Sequence, residues 1–231
     1  GRRLLVDLRQ PWTASLDYLA GELAFRRGDF TAAWNWHSRA WADWRDAHPR
    51  LTAVTHLWAL CRTAFRHRAV DELTRLTRTI ADLDPTSLLE RQLIQRARLL
   101  NWRMRRTLDP TRTAPVDGAL TLLTTTQESN RDFGMRQDAL RVLALAGCWE
   151  EIDATLSRRP LDPERFEDAL LLGDLALGRA RTALGWPAVD DDYGEPTNSD
   201  PMPSCPLATE TLRQAENHYR AALPLAAIED E

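Results

Sequence analysis

The amino-acid sequence predicts an all-α protein. Apolar residues recur every three to four positions along most of the chain, and alternating β-branched runs are missing. Alanine, leucine, arginine and glutamate, all good helix formers, dominate. Punctuation at Pro49, Pro85, Pro110, Pro115, Gly147, Pro160, Pro163 and Pro187 divides the chain into pieces of helix length.

These signals predict about ten helices, near 13–27, 30–46, 50–66, 69–82, 87–106, 115–128, 131–146, 148–158, 163–185 and 207–226. Asp29 follows the Gly28 turn and is placed to cap the second helix. Ser87 with Glu90 three residues on spells a capping box after the stop at Asp84-Pro85. Glu150, Glu151 and Asp153 put negative charge at the start of the eighth helix, where the macrodipole favours it. Asp162-Pro163 offers a cap, then a proline whose missing N–H costs nothing in a first turn, and so predicts a helix from 163. Residues 187–206, PAVDDDYGEPTNSDPMPSCP, are rich in proline and acid and predict a long flexible surface loop. Asp190, Asp191, Asp192 and Glu195 within it lack the spacing of a calcium loop, so no metal site is expected there.

Composition narrows the function. The 231 residues, 43% hydrophobic and 28% charged, suit a globular chain with a sizeable core, read as a single domain over 1–231. No apolar run approaches the roughly 20 residues of a membrane span, and no signal peptide is apparent at the start. The opening Gly1 in place of methionine suggests an excised domain or a processed chain. Cys61, Cys148 and Cys205 are odd in number and far apart, unlike a disulfide framework or metal knuckle, so a reduced, cytoplasmic setting is expected. All 30 basic residues are arginine, as coding in a GC-rich genome produces; no lysine exists for a Schiff base or a phosphate loop. The net charge of −4 is unevenly spread: residues 1–116 carry +8 and residues 117–231 carry −12. This asymmetry points to an acidic partner for the first half, or to homo-oligomers joining basic to acidic halves.

The first helix pair resembles the tetratricopeptide repeat, a helix–turn–helix unit of 34 residues. Gly21 stands at the small position of its first helix, Gly28 at the turn, Phe30 at the aromatic position, and Ala33 and Ala40 at the small positions of its second helix. His37 replaces the usual aromatic between the alanines, and Pro49 comes late. Residues 51–85 fit more loosely, and later pairs keep only the alternation. The resemblance implies a right-handed array of antiparallel helix pairs, a TPR-like α-solenoid whose concave side holds a peptide or protein. It further implies an interaction or sensor domain of the kind appended to bacterial regulators.

In GDFTAAWNWHSRAWADW, residues 28–44, a helical period places Phe30, Trp34, His37, Trp41 and Trp44 in one narrow arc. In the repeat register that arc packs between helices, so it is read as core rather than as a ligand box. The lysine and asparagine that clamp a terminal carboxylate in one variety of the family are replaced here by Tyr18 and Glu22. The expected groove instead offers Tyr18, Glu22, Phe25, Trp58, Arg62 and Arg66, an aromatic and cationic surface for an extended acidic, apolar peptide.

A second candidate is the ridge Arg91, Arg98, Trp102 and Arg105, opposite a stripe of Leu89, Leu93, Ala97, Leu100 and Met104. Residues 91–112 carry a local +6. This ridge could hold an anionic partner, nucleic acid included, with Trp102 as a stacking platform; its plainer reading is a solvated helix face. Catalytic signatures are absent: no His-Glu-x-x-His, no Gly-x-Ser-x-Gly, no glycine-rich phosphate loop. No cofactor or metal is implied. The expected function is therefore a protein- or peptide-binding helical-repeat module without catalysis. The alternatives are an arginine-rich nucleic-acid-binding domain and a helical enzyme assembled around His37.

Overall fold

A computed structural model describes residues 12–47, 53–126, 133–186 and 206–229. They form ten α-helices, and no strand occurs among the described residues. In chain order these are α1 (Trp12–Arg26), α2 (Phe30–Ala47), α3 (Ala53–Arg66), α4 (Val70–Ala81), α5 (Leu88–Arg106), α6 (Val116–Thr125), α7 (Phe133–Leu145), α8 (Trp149–Arg158), α9 (Phe166–Ala183) and α10 (Pro206–Glu229). The acidic stretch 187–205, including Asp190, Asp191, Asp192 and Glu195, lies outside the described residues.

Four helices end in the same way. At the close of α1, Gly28 N–H donates to the Phe25 carbonyl at 3.0 Å and Asp29 N–H to the Ala24 carbonyl at 3.0 Å. Arg68 and Ala69 repeat the pattern after α3, Gly147 and Cys148 after α7, and Gly185 and Trp186 after α9. This is the Schellman turn, which satisfies the last carbonyls of a helix by sending one residue into the left-handed region. The residues there are Gly28 (φ 74°), Arg68 (57°), Gly147 (74°) and Gly185 (69°). After the first three turns a new helix begins at once, so α1–α2, α3–α4 and α7–α8 are helix–turn–helix pairs. The step from Gly28 to Arg68 exceeds the 34 residues of the tetratricopeptide unit.

The two capping sites in the first half form as the sequence indicates. Asp29 Oδ1 accepts from Ala32 N–H at 2.9 Å. Ser87 and Glu90 make a reciprocal capping box, and Glu90 also accepts from Thr86 N–H at 2.6 Å, holding its carboxyl below its ordinary pKa. Asp162 does not cap a helix starting at 163. Helix α9 starts at Phe166, not 163; Asp162 accepts from Glu164 N–H at 3.0 Å in a turn, while Asp168 reaches back to the Asp162 N–H at 2.8 Å. Asp162 thus spends its oxygen on a local turn that competes with the helix.

The chain divides into two compact units, residues 1–113 with 124–126, and residues 114–123 with 127–231. In the first, α1 packs on α2, α2 on α3, and α5 lies against both α3 and α4. The buried residues of α2 are Ala33, His37, Ala40 and Trp44, and those of α4 are Leu73, Leu76, Thr77 and Ile80. Seven residues before the left-handed position stands Gly21 in the first pair and Cys61 in the second; nine after it stand His37 and Thr77. The Cys61 thiol is hydrogen-bonded to Thr77, and burial pushes its pKa up to about 12, so it stays protonated and inert. At the corresponding positions of the first pair, a Cβ on Gly21 would lie 2.5 Å from the His37 imidazole.

In the second unit α7 packs on α8 and α9, and α9 on α10. Asp174 accepts from Tyr219 Oη at 2.9 Å and from Arg141 at 2.8 Å, joining three helices. Gly173 lies under the Tyr219 ring, where a Cβ would come within 2.6 Å.

Two glycine classes should respond differently. Gly28→Ala and Gly147→Ala meet open space and should cost only the left-handed penalty, about 1 kcal/mol each. Gly21→Ala gains helix propensity yet should destabilise by about 1–3 kcal/mol through the clash. In urea titrations the Gly21→Ala cost should largely vanish in a His37→Ala background; additivity of the two changes would count against the contact.

Candidate binding site

Tyr18, Glu22 and Phe25 follow one another at four and three residues, which puts them on one face of α1. That face meets Arg62 of α3. The Arg62 guanidinium donates to Glu22 Oε1 and lies 4.1 Å from the centre of the Phe25 ring. Phe25 is steadied edge-on by Phe30 at 5.4 Å. The ion pair stands at the rim, with Arg62 25% and Glu22 21% exposed.

Behind the rim the site becomes aromatic and nearly dry. His37 is 1% exposed; its Nε2 is 3.5 Å from Glu22 Oε1, and neither ring nitrogen makes a hydrogen bond. The Tyr18 ring lies 5.5 Å from His37 and 5.1 Å from His56. Trp44 stacks on His56 at 5.6 Å, and Trp41 on Trp44 at 5.9 Å. An aromatic column thus runs inward from Tyr18. Trp44 is buried in a cluster with Ala14 and Ala53, Trp41 packs against that cluster, and Trp34 and Trp36 are half-buried.

Electrostatics follows from burial. Loss of water lowers the His37 pKa to about 4; the Glu22 carboxylate opposes this, and Arg62 and His56 add to it. Burial also lowers His56. Tyr18 is raised, first by burial and then by Glu22, with Arg62 opposing. At neutral pH the two histidines and the tyrosine are therefore uncharged, and Glu22–Arg62 is the ion pair among these five side chains. Such a site can exchange one carboxylate for another on Arg62 and can bury an apolar side chain against Phe25. The neutral imidazole of His37 is shut away from any substrate.

Four of the six expected groove residues, Tyr18, Glu22, Phe25 and Arg62, are thus brought together. Arg66, one turn beyond Arg62, is exposed. Trp58, one turn before it, is 7% exposed and lies under Arg96, whose guanidinium is 4.5 Å from the ring, so it offers no open surface. On α5, Arg91 and Arg98 are exposed and Arg105 is half-buried. Trp102 does not stand on their ridge: it is 6% exposed, with its Nε1 3.4 Å from the Arg112 carbonyl. Because α5 packs on two helices, its buried arc is wider than one stripe and takes in Trp102 and Arg103, the latter 4.9 Å from the Phe65 ring. Leu89, expected in the stripe, is 52% exposed.

Sequence reasoning missed Asp17, which is 1% exposed and pairs with Arg39 of α2 at 3.6 Å. Its helical spacing from Ala14, three residues before, and Gly21, four residues after, was the one available signal. Among the described residues no group of three His, Cys, Asp or Glu side chains could hold a metal ion, and no helix is long and apolar enough to cross a membrane.

The depressed His37 pKa has a stability consequence. A histidine with a folded-state pKa below its unfolded value of about 6.5 stabilises the fold above that value and withdraws the contribution as pH falls toward 4. Unfolding free energy should drop by about 3 kcal/mol between pH 7.5 and 4 from this residue. His37→Leu should remove most of that slope without loss at pH 7.5, since it deletes two unpaired buried nitrogens. An unchanged slope in denaturant titrations would contradict the assignment.

The chain matches no protein-family model, no curated protein and no solved structure, so the arrangement of its own side chains is what bears on its function.

Proposed function

We infer that the chain is a non-catalytic binding module whose first unit holds an acidic, apolar segment of a peptide or protein against α1 and α3. The observation that carries this reading is the rim arginine. Arg62 is stacked on Phe25, faces Glu22, and has exposed Arg66 one turn away. An incoming carboxylate can compete with Glu22 for the fork of Arg62 while an apolar neighbour covers Phe25. The helix–turn–helix pairs and the tetratricopeptide-like residues Gly21, Gly28, Ala33 and Ala40 support a role as an interaction or sensor domain of a larger bacterial regulator. Burial of Trp102 weakens the rival nucleic-acid reading, because the arginine ridge then lacks its stacking platform.

The test is an array of fluorescent peptides pairing Asp or Glu with Leu or Phe, read by anisotropy. Wild-type binders should lose at least tenfold in affinity to Arg62→Ala/Arg66→Ala, since a charge-assisted hydrogen bond contributes about 1.5–3 kcal/mol. Arg62→Lys, which keeps the charge but not the planar stack, should also weaken them. Arg91→Ala/Arg98→Ala should not. Equal affinity for all variants, each shown folded by circular dichroism, would sink the reading.

A further inference from the structure

The second unit carries an open apolar groove between α9 and α10, about 470 Å³ in volume. Phe166, Leu170, Leu177, Leu212, Ala222 and Leu223 line it, and Leu223 at its mouth is 72% exposed. Its charged flank is the Glu216–Arg220 pair, 2.6 Å apart on α10.

The first unit shows what fills such a groove in this protein. Helix α5 lies against both α3 and α4, presenting Leu93, Ala97, Leu100 and Met104 at helical spacing. The occupant of a trough between two consecutive helices is there a third amphipathic helix. The same chain holds a matching face that is open among the described residues: Leu16, Leu19 and Leu23 of α1, 42%, 56% and 57% exposed, at the i, i+3, i+7 positions of a single stripe. Exposed Arg26 and Arg27 follow that stripe, whereas the exposed Glu210 and Glu216 of α10 each pair with an exposed arginine, Arg213 and Arg220. The two halves nevertheless differ in sign, +8 for residues 1–116 and −12 for residues 117–231.

We propose that the chain self-associates head to tail, with the Leu16–Leu19–Leu23 stripe of one protomer seated in the α9–α10 groove of its partner. The contact joins two different surfaces, so each pairing leaves one stripe and one groove free. It therefore propagates to longer assemblies unless the rotation closes a ring. The opposite net charge of the two halves draws copies together end to end, and added salt loosens the contact.

Sedimentation velocity on the full chain over a wide concentration range tests this. Wild type should gain mass steadily with concentration. Leu19→Glu and Leu223→Glu each alter an exposed leucine, so both should stay folded by circular dichroism, and each alone should remain monomeric. Mixed in equal amounts they should form a complex of two chains and stop there, because one intact stripe meets one intact groove. A wild-type chain that is monomeric at every concentration overturns the proposal. So does undiminished association of Leu223→Glu, which would mean stripe-to-stripe pairing. Failure of the mixture to form dimers overturns it as well.

Discussion

The close approach of α1 and α2 at Gly21 and His37 governs the first unit. Only a residue without a side chain leaves room for the imidazole, and that contact decides where everything else on α1 stands. One residue on, Glu22 is carried to the edge of the same imidazole and into reach of Arg62. Three residues back, Tyr18 is laid between His37 and His56. The second pair keeps the contact with different chemistry, a thiol and a hydroxyl at Cys61 and Thr77. In the second unit Gly173 and Tyr219 reproduce its geometry on larger helices. Small residue against ring is a recurring device in this chain.

The turns set which residues can meet in this way. A Schellman ending spends no side chain on the helix terminus and launches the next helix within two residues. The register of α2 relative to α1 is then fixed by the backbone, and Ala33, His37 and Ala40 face inward as a consequence. Arg68 holds the left-handed position without being glycine, an indication that packing of α3 on α4 dominates the local preference there.

Burial converts this packing into chemistry. His37 keeps its nitrogens away from water, is held neutral, and leaves Glu22 free to engage Arg62 rather than an imidazolium. The rim arginine is thereby left balanced between one carboxylate and one aromatic ring, an arrangement that suits exchange of partners more than turnover of a substrate.

Much of this was legible in the sequence where the cause is local. Helical period, the Asp29 cap and the Ser87–Glu90 box depend on residues a few positions apart, and all formed as read. Tyr18, Glu22 and Phe25 could be assigned to one face because a helix has a fixed period. The failures share a different cause. Whether Trp58 and Trp102 face solvent depends on how many helices cover each of theirs, and Arg96 and the double contact of α5 lie far along the chain. Asp162 offered two local bonds of similar strength, and the turn prevailed over the cap. Pairings such as Asp17 with Arg39 join helices without leaving any periodic trace.

His37 is sealed between α1, α2 and α3 by the space Gly21 leaves, and the first unit stands on that seal. The most direct measurement is a nuclear magnetic resonance titration of the His37 imidazole in the intact chain. The ring should stay neutral throughout the neutral range and take up a proton only near pH 4. A midpoint near the unperturbed 6.5 would place the ring in water and contradict it.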